Sequence, residues 1–399
     1  MPTRRRTAPS RGAQLKNIIP GWRAAARIRG GFDVTLLALV LILLGLGLLM
    51  VLSSSYPRAY SEALYSETGG SPLDYFNHQL IFAVAGIVIL YMASWIPMSI
   101  YRQSASMVYL FAIVMLLLVL VAGAAENNAR RWISLGFFSF QPSEVTKLAV
   151  ILLFADLIAR YRSRMNTLQY GVVPFAVAML PLVALLFLEP HISCIIIISL
   201  IGLTMMLIGG MPGKYFWAGV GAVVVVGVLA FFVSNHVHVR ILAWINPEKF
   251  GDENTTYQVR ESLMAIGSGG LTGLGPGEGR QKYLYLPESH NDYIFSIVCE
   301  ELGLVGAAAI LLLLALMLLR CTQITLHTQD RFSFLVAAGI TAHFGLQTIL
   351  NIAVVTNTLP CTGVSLPFFS YGGTALLMQL LEMGVMLSIS REIPLTNAS

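Results

Sequence analysis

The chain has 399 residues, of which 56% are hydrophobic and 11% charged, with a formal net charge of +5. An average soluble domain carries roughly 25% charged residues, so a water-soluble enzyme, a disordered chain and a disulfide-stapled secreted domain are all excluded. The apolar runs are continuous rather than alternating, against a membrane β-barrel, and many approach the roughly 20 residues that a lipid-crossing helix needs. The expected fold class is all-α, a polytopic membrane protein.

Residues 1–32 hold Arg4, Arg5, Arg6, Arg11, Lys16, Arg23, Arg27 and Arg29 and no acid. This reads as a basic cytoplasmic tail ahead of a retained first span from Val34 to Leu52, since a secretory signal has an apolar core of only about 7 to 15 residues. Further apolar segments run over 79–97, 106–123, 143–159, 171–188, 192–210, 215–233 and 293–319. Between Arg331 and Glu382 there is no charge, room for two more helices divided by Asn357, Pro360, Gly363 and Pro367. Ten spans are expected over 33–390, with a second cytoplasmic tail at 391–399. Arg102, Arg160, Arg162, Arg164, Lys214, Arg320, Arg331 and Arg391 then join the tail, placing sixteen of 25 basic residues on one side. That satisfies the positive-inside rule with both termini in the cytoplasm.

Three segments fall on the opposite side: 54–77, 124–142 and the large extracytoplasmic loop 234–291. Loops of the last one's length are usually functional or disordered, and its mixture of Tyr, Leu and charge favours a folded one. In the second segment, Asn127-Asn-Ala-Arg-Arg-Trp132 precedes Gln141-Pro-Ser-Glu144 and Lys147. Glu144 and Lys147 are three apart on one helical face and can pair, as a structural clasp or as ligand contacts. Arg130, Arg131 and Trp132 read equally as interfacial anchors.

The long loop holds Tyr257-Gln258, a run with seven glycines between 267 and 279, then Arg280, Gln281 and Lys282, then Leu286-Pro-Glu-Ser-His-Asn-Asp292. No frame gives a nucleotide-binding spacing. The glycines are either a flexible linker or a place where backbone N–H groups approach an anion such as phosphate. Asp292 stands where the chain re-enters the membrane. Ser289 to Asp292 fits a capping box, while a partly desolvated boundary carboxylate is also suited to general-base work. A glycosidase-like pair with Glu300 is disfavoured, because eight helical residues rise about 12 Å and such pairs stand about 5 to 9.5 Å apart. Finally, Ser365-Leu-Pro-Phe-Phe-Ser-Tyr-Gly-Gly373 interrupts an apolar stretch, as broken membrane helices do beside a cavity. The four cysteines are scattered and show no metal-site or disulfide spacing.

Taken in order, these segments resemble the SEDS family of bacterial membrane proteins, which includes FtsW, RodA and SpoVE. The resemblance runs from the first span to the tenth. It rests on Ala129-Arg-Arg-Trp132 with Gln141-Pro-Ser-Glu144, Ala265-Ile-Gly-Ser-Gly-Gly270, His290-Asn-Asp-Tyr-Ile-Phe295 with Glu300-Glu-Leu-Gly303, and Leu366 to Gly373. Gln281-Lys-Tyr-Leu-Tyr-Leu-Pro-Glu288 and Asn351 to Asn357 look more like the FtsW and SpoVE branch than RodA. One departure is His191, in Pro190-His-Ile-Ser-Cys194, where the family usually has an acid. A role for that acid toward a cation or amine is missing here or carried differently.

The resemblance implies an inverting glycosyltransferase that polymerises lipid II into glycan strands and releases undecaprenyl pyrophosphate. Asp292 matches the family's essential loop aspartate and is expected to be the base. Arg130, Arg131, Arg280 and Lys282 are the expected stabilisers of the leaving group. Trp132, Glu144, Lys147, Gln258, Gly269, Gly270, Gln281, Glu288, His290, Ser370, Tyr371, Gly372 and Gly373 complete the expected substrate-binding set. No protein-held metal and no firm cofactor are expected, with a magnesium or manganese ion left as an option. The implied partners are lipid II, membrane lipids, a class B penicillin-binding protein and other division proteins, not nucleic acid. The implied location is the bacterial plasma membrane at the division septum. Alternatives are a lipid II flippase, for which Asp156 is the main intramembrane candidate, and a RodA-like elongation polymerase.

Overall fold

The computed structural model describes residues 31–65, 70–126, 129–134, 139–246 and 253–393. Nearly all of the basic tail, residues 1–30, and residues 394–399 of the expected C-terminal tail lie outside the described residues, as do Asn127, Asn128 and the Arg130 side chain. The chain is a multi-pass helical membrane protein. Its long helices are α1 (Val34–Tyr65), α2 (Asp74–Ala93), α3 (Met98–Ala122), α4 (Pro142–Arg160), α5 (Val173–Leu188), α6 (Ile192–Ile208), α7 (Gly213–Val233), α10 (Ile294–His327), α11 (Arg331–Val355) and α12 (Gly373–Arg391). Among the described residues, eight helices are long and apolar enough to cross a membrane. Of the other two long ones, α6 is short but apolar, and α4 carries Glu144, Lys147, Asp156 and Arg160.

The first helix continues 13 residues past the expected span end at Leu52, so most of segment 54–77 is helical rather than loop. The segment after α3 is not a plain loop either. Ala124–Glu126, Ala129–Ser134 and Ser139–Phe140 form an antiparallel sheet, β1 to β3, in sequence order. The 234–291 region is folded, with α8 (Asn235–Ile245) and α9 (Glu253–Ser268) ahead of a turn-rich stretch that reaches α10.

The helices are arranged around α4, α11 and α12. Helix α4 is buried along almost its whole length, from Val145 to Ile158, and packs on α3, α6 and α11. Helix α12 lies chiefly along α2, where Gly384 lets the two backbones meet at Leu90, the small-residue contact that lipid favours. Helix α7 is peripheral and buries only Ala230, presenting Val224, Val228 and Phe232 outward.

Helix α10 is broken at Gly303, where φ is 65°. A break inside lipid leaves backbone groups that need partners, and the glycine-rich segment supplies them. Leu274 N and Gly275 N donate to the Glu300 and Glu301 carbonyls at 3.0 Å each, while Leu304 N and Val305 N donate to the Gly270 and Leu271 carbonyls at 2.9 and 3.1 Å. Gly273 sits hard against the Glu301 carbonyl with φ 79°, so neither its conformation nor its space admits a side chain.

Candidate functional site

Asp292 lies in the turn between Glu288 and the start of α10. The capping expectation is corrected here: the residue before the first helical turn is Tyr293, and no side chain caps it. The Asp292 carboxylate makes no hydrogen bond among the described residues. It is half-buried, and burial pushes it up to about 7, with the Glu288 charge adding to the rise and Arg240 and Arg131 opposing it. A carboxyl poised there can accept a proton near neutral pH.

The turn is braced from three sides. Tyr371 N donates to the His290 carbonyl at 2.8 Å, and Ser370 Oγ to the Asn291 carbonyl at 2.8 Å. The interrupted segment is in turn held to α2: Gln79 Nε2 donates to the Ser370 carbonyl at 3.3 Å, Gly372 N donates to Gln79 Oε1 at 3.1 Å, and Tyr371 Oη pairs with His78 Nδ1 at 3.0 Å. Gly373 packs tightly on the Phe82 ring. Glu288 accepts from Asn291 Nδ2 at 2.5 Å and lies 3.9 Å from Arg58. His290 is buried between Tyr75 and Tyr371, and burial lowers it to about 4, so its ring is neutral at physiological pH. Gln258 Nε2 reaches the Pro287 carbonyl at 3.2 Å.

The charges of two guanidinium groups act on this carboxylate. Arg131, on β2, donates from Nε to the Glu189 carbonyl at 3.3 Å and from its other arm to the Pro190 carbonyl, and burial followed by the Arg240 charge lowers its basicity. Arg240, on α8, is exposed and has no hydrogen bond among the described residues. One turn along α8, Trp244 Nε1 donates to the Asn357 carbonyl at 3.1 Å and ties the helix to the end of α11. The sequence reading missed Arg240. Its signal was the amphipathic run of α8, which puts Arg240 and Trp244 on one face. Trp132 is half-buried on β2 beside Arg131.

Lys282 is placed differently from expectation. It is 3% exposed and pairs with Glu301 at 2.7 Å, while also donating to Ser53 Oγ and the Gly277 carbonyl at 2.9 and 2.6 Å. The amides of Arg280 and Gln281 donate to the Glu300 carboxylate, and that of Gly277 to Glu301. The anion that the glycine-rich segment cradles is therefore the protein's own pair of glutamates. Gly269 packs on the Cys299 carbonyl, and Gly270 serves the α10 break. Glu301 lies seven residues beyond Ile294, the first residue of α10, roughly 10 Å of helical rise, so Lys282, Gln281, Gly269 and Gly270 form a supporting group apart from the carboxylate. The Arg280 side chain is exposed beside them.

Glu144 and Lys147 pair at 2.8 Å, both buried. With His191, Cys194, Gln347, Gly363 and Ser365 they line a cavity of about 30 Å³, room for a water or two and not for a sugar. Burial pushes His191 down to about 3, so it is neutral. Among the described residues no three His, Cys, Asp or Glu side chains converge to hold a metal ion. Asp156 pairs with Arg102 and Arg160 at 2.9 and 2.7 Å and is structural. The four cysteines are free and buried.

Residues 34–394 match the family described as cell cycle protein, FtsW, RodA and SpoVE. The chain is 35% identical over 92% of its length to a probable peptidoglycan glycosyltransferase FtsW of Coxiella burnetii, covering 98% of that protein. It is 32% identical over 90% of its length to the stage V sporulation protein E of Bacillus subtilis, covering 97% of it. In fold it is similar to a chain from a structure titled "Structural coordination of polymerization and crosslinking by a peptidoglycan synthase complex", with a TM-score of 0.73, 24% identity and coverage of 91% and 99% of the two chains.

Proposed function

The chain belongs to the FtsW, RodA and SpoVE family of cell cycle proteins, and from that premise we propose that it is a peptidoglycan glycosyltransferase that polymerises lipid II during cell division. The observation that carries the mechanism is one half-buried carboxylate, Asp292, raised to about 7 within reach of the Arg131 and Arg240 charges. Asp292 takes the proton from the acceptor GlcNAc 4-hydroxyl as its oxygen attacks C1 of the donor MurNAc. The C1–O bond to undecaprenyl pyrophosphate breaks with inversion, and the pyrophosphate leaves with the electron pair.

This leaving group needs its charge stabilised more than it needs a proton. Arg240 is the freer of the two guanidiniums among the described residues, because Arg131 already spends its fork on two carbonyls. A planar fork suits phosphate oxygens. The Tyr371 and Ser370 braces hold the turn still, and the Lys282–Glu301 pair holds the broken helix beneath it.

In this reading the Asp292 end faces away from the cytoplasm, both termini lie inside, and the protein works at the septum with a class B penicillin-binding protein and other division proteins. The positive-inside distribution supports the orientation, and a fold shared with a chain of a peptidoglycan synthase complex supports the partner. The test is purified full-length protein in detergent with lipid II. Conversion to longer glycan, with no bilayer to cross, supports a polymerase; absence of any polymer contradicts it.

A further inference from the structure

The Asp292 side chain is unbonded among the described residues, but its main chain is held by a single buried amide. Asn351, on α11 and fully buried, uses both hydrogens of its Nδ2: one reaches the Asp292 carbonyl at 2.8 Å and the other the Val364 carbonyl at 2.7 Å. These carbonyls belong to separate segments, the turn that enters α10 and the stretch that leads into 365–373. Where Asn351 draws them together, Gly363 stands against the carboxylate, and a Cβ there would lie 3.0 Å from Asp292 Oδ2. One helical turn away, Gln347 Nε2 holds the Ser365 carbonyl and hydroxyl at 3.0 and 2.9 Å and its Oε1 accepts from Lys147 at 3.4 Å. Gln347 fixes the same stretch but does not touch Asp292.

We propose that Asn351 is the positioning residue of this site: by bonding the Asp292 and Val364 carbonyls at once, it fixes the Asp292 carboxylate against Gly363 in the orientation from which it takes the acceptor's proton. The inference rests on the glycosyltransferase reading for the identity of that proton. An apolar side chain at 351 leaves two carbonyls without their donors, which is costly when buried. The two segments then separate, water enters between them, and the carboxylate loses both its aim and the burial that raises it.

The test uses the full-length chain in detergent with two readouts, polymerisation kinetics on lipid II and the infrared titration of the Asp292 carboxyl, identified as the band that Asp292→Asn removes. Asn351→Leu is expected to lower kcat on the order of 10²-fold with KM little changed, the effect of misplacing a reacting group. It is also expected to move the carboxyl midpoint down from about 7 toward the ordinary range near about 4. Asn351→Gln keeps the donors on a longer stem and recovers part of both. Gln347→Leu frees Ser365 and Lys147 but not the Asp292 carbonyl, and leaves the midpoint in place. If Asn351→Leu does not fold, Asn351→Ser carries the same test, because one hydroxyl hydrogen cannot hold two carbonyls. An unmoved midpoint in a folded variant overturns the proposal, as does an equal shift in Gln347→Leu. Failure of the wild-type protein to make polymer removes the glycosyltransferase reading, and the infrared titration still decides the role of Asn351.

Discussion

The two ends of the helix bundle treat charge differently. At the end carrying Arg102 and Arg320, two acids are matched to bases: Asp156 lies between Arg102 and Arg160, and Asp33 meets Arg320 at 2.7 Å, while Arg391 stacks over Trp95 at 3.7 Å. At the other end Asp292 has no ion pair among the described residues, a neighbouring glutamate raises it further, and the charges of Arg240 and Arg131 only partly offset that rise. Pairing serves stability, while an unpaired, partly buried carboxylate costs stability and gains reactivity. The Asp292 end also contains its own contrast, since the buried Lys282–Glu301 pair holds the broken helix together in the manner of the opposite end.

Breaking that buried pair sharpens the contrast most. Lys282→Met leaves Glu301 buried with only Ser53 and Gly277 as donors, and the expected loss is about 3 to 5 kcal/mol of stability, read as a large fall in melting temperature and in yield of folded protein. If melting is unchanged and polymerisation alone falls, Lys282 belongs with the chemistry instead. Next is Arg240→Met, expected to cost about 10²-fold in kcat, the effect of removing one charge-stabilising donor, with melting unchanged. Equal activity would move the leaving-group site to Arg131 or Arg280.

The pH profile separates the ends without mutation. Because Asp292 works as its carboxylate and is raised to about 7, kcat should fall about tenfold per pH unit below that midpoint and level off above it. A profile flat from pH 5 to 8 would mean that the base ionises in the ordinary carboxylate range. The smallest effect is expected from Asp156→Asn at the paired end. Its arginines are partly exposed, so the loss is about 1 kcal/mol, seen in melting and not in kcat.

The sequence displays the spans plainly because long uninterrupted apolar runs have few other uses. It displays Asp292 because a carboxylate at the start of such a run is conspicuous. What it hides depends on contacts between distant segments. Lys282 beside Arg280 reads as a phosphate ligand until α10 breaks at Gly303 and brings Glu300 and Glu301 under the glycine-rich stretch. The sheet of β1 to β3 is hidden because its strands are only two to six residues long. Gln347 and Asn351 carried a readable signal, two amides four residues apart in a helix uncharged after Arg331, and with His343 they form one polar stripe. His343 ends that stripe in a buried contact with Glu382 at 2.7 Å.

The central claim is that Asp292 is the base, and one rate comparison tests it most directly: polymerisation of lipid II by Asp292→Asn against the wild type near pH 7, in detergent, with melting measured on both. Since Asp292 does not cap α10 and forms no ion pair among the described residues, the substitution should leave folding nearly unchanged and lower the rate on the order of 10² to 10⁴-fold. A folded Asp292→Asn protein that polymerises within a few-fold of the wild type would contradict the account.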